Sequence, residues 1–351
     1  MVTRVAIVGA SGYTGGELLR LLATHRGVQV TVATSREHVG RPVHYVHFNL
    51  RGVYRDLRFS KLDTDLISER ADAVFLSLPH GVSMKYVPAF LEVGMKVIDL
   101  SADFRLKNPQ AYRYWYGFEH PYPDLLRKAV YGMPELRRSE LRDAQLIAVP
   151  GCNATASILA LLPLARGGVG DLSFVVIDVK AGSSEAGSKP SLPDHHPERE
   201  GSVRPYSAEG HRHVAEVEQE LGAVTGSEIS VSLTPHAVPC VRGVLATAYV
   251  RASGEVGAKD LMKAYALTYG REPFVRLVRN SPHKYPNPKY VIGSNFADVS
   301  FAVEERLGVI KSFSAIDNLV KGAAGQAVQA FNISAGFPEG EGLKFPPLKP
   351  V

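Results

Sequence analysis

Residues 4–9, Arg-Val-Ala-Ile-Val-Gly, make a short apolar run of the kind buried on both faces of a parallel sheet. A glycine-rich turn follows, and Glu17-Leu18-Leu19-Arg20-Leu21-Leu22 then repeats at helical spacing. Further strands are expected at Val28–Ala33, Ala73–Leu78, Lys96–Leu100 and 146–150, with a helix over Val82–Glu92. Strands alternating with helices predict right-handed βαβ units and a doubly wound sheet over residues 1–150. From about residue 172 the texture changes. Leu172–Lys180, Glu228–Leu233 and Val244–Val250 read as strands, and Ala258–Tyr269 and Asn318–Phe331 as helices. Residues 151–317 are therefore expected to form an α+β domain whose strands build a broad sheet for subunit pairing. Residues 318–351 are expected to return to the first domain. Between the first two strands of the second domain lies a long polar segment, Gly182–Arg212, read as a functional loop.

Composition narrows the class. The chain has 351 residues with 45% hydrophobic and 21% charged, which is globular and large enough for two domains. No apolar run is long enough to span a bilayer, and the N-terminus enters a strand pattern with no room for a signal peptide. Two cysteines, Cys152 and Cys240, are too few for a disulfide framework, so a reducing cytoplasm is the expected compartment. The net charge of +5 suits phosphorylated or acidic partners. No nucleic-acid-binding motif accompanies it, and the aromatic run Tyr112–Tyr116 reads as core or interface.

Gly9, Gly12 and Gly15 lie between the first strand and the first helix. There they permit a tight turn and present helix N–H groups to a pyrophosphate. An enzyme using NAD would place Asp or Glu at the end of the second strand to hold the ribose 2′-hydroxyl. This chain has Thr34-Ser35-Arg36, a hydroxyl and a guanidinium suited to a 2′-phosphate, which favours NADP(H).

Cys152 follows the 146–150 strand and Gly151, directly before a helical run, where a helix dipole favours thiolate. Cys240 has no such helix start and reads as structural. The acid/base candidates are His211 and His213 of Gly210-His211-Arg212-His213, and the pair His195-His196 lies nearby. No ligand spacing completes a metal signature, so no metal is expected. Arg105, Ser184 and Arg242 are candidate anchors for a phosphate or carboxylate.

Five motifs in order resemble the N-acetyl-γ-glutamyl-phosphate reductase family: residues 9–18, Asp99-Leu100-Ser101-Ala102-Asp103-Phe104-Arg105-Leu106, Pro150-Gly151-Cys152, 210–213 and 315–322. The resemblance runs nearly end to end. It implies a Rossmann domain, an α+β domain shared with aspartate-semialdehyde dehydrogenases, and homo-oligomers (dimers or tetramers) formed through the second domain. It further implies Cys152 as nucleophile and His211 as acid/base, with Ser11, Gly12, Tyr13, Thr14, Ser35, Arg36 and Asn318 contacting NADP. Enzymes acting on the acetylated substrate usually follow the cysteine with Tyr-Pro-Thr, whereas Asn153-Ala154-Thr155 stands here. With residues 195–204, that departure resembles the lysine-pathway branch, whose 2-aminoadipate 6-phosphate is carried on an acidic amino-group carrier protein (LysW type). Some members of that branch also reduce carrier-bound glutamate 5-phosphate. The alternatives are reduction of free N-acetyl-γ-glutamyl phosphate and, in a different class, a non-catalytic NADP-sensing regulator.

Overall fold

Residues 2–279 and 282–351 are described by a computed structural model. The chain divides into two compact units. The first runs to Pro150 and takes in Ala323–Phe345; the second comprises Gly151–Gly322 and Pro346–Val351. The return to the first unit thus begins at Ala323 instead of 318, and the last six residues group with the second unit.

In the first unit, β1 (Thr3–Val8), β2 (Val28–Thr34), β3 (Phe59–Ser60), β4 (Ala73–Leu76), β5 (Lys96–Asp99), β6 (Val130–Tyr131) and β7 (Leu146–Ala148) form one sheet. Its order is β3-β2-β1-β4-β5-β7-β6, and every pairing is parallel. The central strands are apolar on both faces: Val5, Ala6, Ile7 and Val8, like Val74 and Phe75, are fully buried. Reversal of strand order beside β1 creates a crevice at the carboxyl ends of the strands, the usual ligand position in such sheets. In this unit the five expected strands agree with the observed ones to within two residues, while the short edge strands β3 and β6 were not expected. The helix expected over Val82–Glu92 instead splits into a 3₁₀ turn, Ser83–Lys85, and a helix, Val87–Glu92. Pro88 lacks the N–H that would have continued the earlier turn. In the aromatic run, Tyr112 is buried and Tyr114 is 79% exposed.

The second unit is built on β8 (Gly170–Ala181), β9 (Arg204–Pro205), β10 (Ser230–Ala237), β11 (Val244–Ala252), β12 (Val275–Leu277), β13 (Ala297–Glu304) and β14 (Val309–Ile316). The sheet order is β12-β13-β14-β11-β8-β10-β9, with parallel and antiparallel pairings mixed. The helix Cys152–Gly167, buried along nearly its whole length, packs on β8, β11 and β14. It is flanked by helices Val214–Thr225 and Ala258–Tyr269. The helix expected over Asn318–Phe331 has a different start. The Asp317 carboxylate accepts from Leu319 N (2.8 Å) and Val320 N (3.3 Å), Val320–Ala324 forms a π turn, and the α-helix is Gly325–Ser334. Among the described residues no helix is long and apolar enough to cross a membrane.

Candidate active site

The turn after β1 requires its glycines. Gly9 has φ +80°, and a Cβ there would lie 2.1 Å from the Ser77 carbonyl oxygen; one on Gly15 would lie 2.6 Å from Gly9 O. The helix Tyr13–Leu22 starts with no side-chain cap, leaving its first N–H groups for an anion. Strand β2 braces the turn: Gly9 N donates to Thr34 Oγ1 (3.1 Å) and Ala10 N to Thr34 O (2.9 Å). Ser35 Oγ donates to Ser11 Oγ at 3.0 Å, tying the two expected cofactor-binding serines together. Arg36 beside them is exposed, as is Tyr13, while Ser11 and Thr14 are half-buried. Tight backbone packing at the turn's glycines and an uncapped helix N-terminus fit the phosphates of a dinucleotide.

In the second unit, Cys152 is the first residue of its helix and half-buried, with Gly151 as N-cap. Two close approaches hold this turn. A Cβ on Gly322 would sit 2.8 Å from Cys152 Cβ, and one on Gly151 would sit 2.3 Å from His213 Nε2. Gly151 N donates to Glu216 Oε2 at 3.0 Å, and Glu216 Oε1 lies 3.9 Å from His213 Nε2. The fully buried Glu216 carboxylate thus sits between the cysteine turn and a histidine. Cys152 Sγ lies 3.6 Å from the Asn153 side-chain oxygen.

Cys152, His211 and His213 line one cavity of about 340 Å³ together with Tyr206, Glu185 and Arg204. The two imidazoles meet edge to face at 4.6 Å, and His213 N donates to His211 Nδ1 at 3.2 Å. Burial, then neighbouring Arg212, lowers the His211 pKa to about 4, so the ring is neutral at pH 7. Tyr206 donates to Glu185 Oε2 at 2.6 Å, and burial raises the Glu185 carboxyl pKa. Arg199 also lines the cavity and is 5% exposed. It donates to Val238 O (3.1 Å), Ala181 O (3.0 Å) and Asp194 Oδ1 (3.2 Å).

Residues 4–144 match the family described as semialdehyde dehydrogenase, NAD binding domain, and residues 152–318 match semialdehyde dehydrogenase, dimerisation domain. A [LysW]-L-2-aminoadipate/[LysW]-L-glutamate phosphate reductase of Saccharolobus solfataricus is 58% identical over 99% of both chains. The chain belongs to the semialdehyde dehydrogenase family. A reductase of the same name from Sulfurisphaera tokodaii is 57% identical over 99% of both chains. Aspartate semialdehyde dehydrogenase II of Vibrio cholerae has the same fold, with TM-score 0.72 and 18% identity, covering 96% of this chain and 99% of that one. Aspartate semialdehyde dehydrogenase of Candida albicans, solved with NADP, gives TM-score 0.72 and 15% identity, covering 95% and 98%. The protein is an oxidoreductase of the phosphate-reductase kind, with an NAD(P)-binding domain.

The remaining expected site residues occupy three places. Arg105 is buried in the first unit, donating to Val149 O (2.7 Å) and Leu100 O (3.0 Å). Ser184 and Asn318 share a hydrogen bond in the second unit, where Asn318 Nδ2 donates to Ser184 Oγ at 2.8 Å. Asn318 Oδ1 also accepts from Gly243 N at 2.8 Å. Arg242 pairs with Asp317 at 3.4 Å, and the exposed His195 and His196 lie on the short helical stretch beside Arg199. The sequence reading missed Glu185, Tyr206 and Glu216 as lining and bracing groups. The signal for Tyr206 was an aromatic in a polar segment just before Gly-His-Arg-His. Glu216 was marked only by its place three residues after His213. Among the described residues no three His, Cys, Asp or Glu side chains converge on a metal site.

Proposed function

We propose that the protein uses NADPH to reduce an acyl phosphate, 2-aminoadipate 6-phosphate or glutamate 5-phosphate, carried on an acidic amino-group carrier protein. The carrying observation is the single cavity that holds Cys152 at a helix N-terminus with His211 and His213, in a chain 58% identical to a carrier-dependent reductase. The helix dipole favours the Cys152 thiolate, and neutral His211 takes the thiol proton. Thiolate attack on the acyl carbon expels phosphate, which takes that proton from the imidazolium, and leaves a thioacyl enzyme. Backbone N–H groups of the first helical turn after Gly151 hold the oxyanion. When bound, NADPH supplies the hydride. The resulting thiohemiacetal releases the aldehyde and returns the thiolate. Ser35 and Arg36 support NADP over NAD, since no acidic side chain stands in either position.

The test is phosphate-dependent reduction of NADP⁺ in the reverse direction, with carrier-bound 2-aminoadipate semialdehyde against free N-acetylglutamate semialdehyde. The carrier-bound aldehyde is expected to win by at least tenfold in kcat/KM. Preference for the free aldehyde overturns the carrier assignment. Cys152→Ser is expected to lose at least 10³-fold in kcat while still binding NADPH; retained turnover overturns the thioacyl route.

A further inference from the structure

Between β2 and β3 the chain folds over the dinucleotide turn and places His47 against it. His47 Nε2 lies 2.8 Å from the Ala10 carbonyl oxygen. Because a carbonyl only accepts, Nε2 carries the proton and donates. The ring rests on Gly16, where a Cβ would come within 2.5 Å of His47 Cε1. The far end of the same segment is fixed to the same helix, since the Tyr54 hydroxyl donates to Leu19 O at 2.7 Å.

The hydrogen bonds of the turn indicate what this contact does. Gly9 N and Ala10 N are both taken by Thr34, and Gly12 N donates back to Gly9 O at 3.3 Å. Among the described residues Ser11 N–H has no acceptor. The Ala10–Ser11 peptide is planar and trans, so its C=O and N–H point in opposite directions. A bond that fixes the carbonyl therefore fixes the N–H as well.

We infer that His47 is a positioning residue for the cofactor: by holding the Ala10 carbonyl it turns the Ser11 N–H outward as a preset donor to the dinucleotide phosphates. The glycine at position 16 belongs to the same device, since any side chain there displaces the imidazole. The inference deepens the NAD(P)-binding assignment and rests on it.

The experiment is a fluorescence titration of full-length protein with NADPH, run on the wild type and on His47→Leu, His47→Gln and Gly16→Ala, with melting followed by circular dichroism. His47→Leu is expected to weaken NADPH binding roughly three- to thirtyfold, the scale of one lost phosphate contact. Its kcat at saturating NADPH is expected to stay within about twofold of wild type. Glutamine, which also presents an N–H, is expected to recover most of the affinity. Gly16→Ala should weaken binding like His47→Leu, and the double variant should be no weaker than either alone. Displacement by 2′-AMP, which lacks the 5′-phosphates, is expected to be unchanged in His47→Leu. Wild-type NADPH affinity in folded His47→Leu overturns the inference. So does an affinity loss that 2′-AMP shares and glutamine does not repair, because that marks a merely structural role. A wild type that binds neither NADPH nor NADH overturns the dinucleotide assignment itself, a result separable from both.

Discussion

At the scale of single residues, the site depends on groups held in a chosen protonation state. His211 is buried beside Cys152, and desolvation, then Arg212, lowers its pKa from 6.5 to about 4. In the unfolded chain the same imidazole titrates at its ordinary value. Between pH 6.5 and 4 the unfolded state therefore binds more protons than the folded state, and stability falls as pH falls through that window. At and below pH 4 the accumulated loss is roughly 3 kcal/mol; above pH 6.5 the group contributes no slope. His211→Gln is expected to remove that component. Urea unfolding of both proteins at pH 7.5, 5.5 and 4.5 checks it. The gap between variant and wild type should move in the variant's favour as the solution is acidified, and parallel curves would contradict the burial argument.

Among the elements, the segment 182–212 was the hardest to read. Composition marked it as polar and long, and nothing local showed how it is held. Its order comes from distant partners: Arg199 reaches Ala181 O and Val238 O, and β9 pairs with β10. Such contacts leave no periodicity in the sequence. The β1–turn–helix unit was legible because its glycines, apolar run and helical spacing are all local. The place of Cys152 at a helix start was legible for the same reason, through Gly151 and the apolar run after Asn153. The hairpin β13–β14 was missed although burial alternates along most of β14. Its buried face mixes Ser312 and Ser314 with Ile310, which blurs the apolar period, and Gly308 at φ +61° makes the turn. Arg199→Met keeps the bulk of the buried side chain and removes its donors, leaving Asp194 and Glu185 without their cation. Stability is expected to fall by about 2–4 kcal/mol. Limited proteolysis is expected to cut within 185–205, with kcat/KM lowered and NADPH affinity retained. A variant as protease-resistant as wild type would show that the segment is held by other means.

For the whole molecule, the decisive feature is a sheet covered on one face. In β8 the residues Val175, Ile177 and Val179 are buried on the side of the helix Cys152–Gly167, while Phe174 and Val176 are 63% and 40% exposed on the other. Tyr249 of β11 pairs with Val176 in register and is itself 37% exposed, so the apolar side chains lie together across two central strands. A contiguous apolar patch on a central sheet face is costly to leave in water. The family pattern matched by residues 152–318 is described as a dimerisation domain, and an isologous pairing of two such faces would bury the patch on both copies. Phe174→Glu places a charge on that surface, where pairing would desolvate it against its own copy. The variant is expected to elute at half the wild-type mass or less in size-exclusion chromatography with light scattering. NADPH binding should persist, since the cofactor turn lies in the other unit. An unchanged mass for folded Phe174→Glu would move the interface off this face.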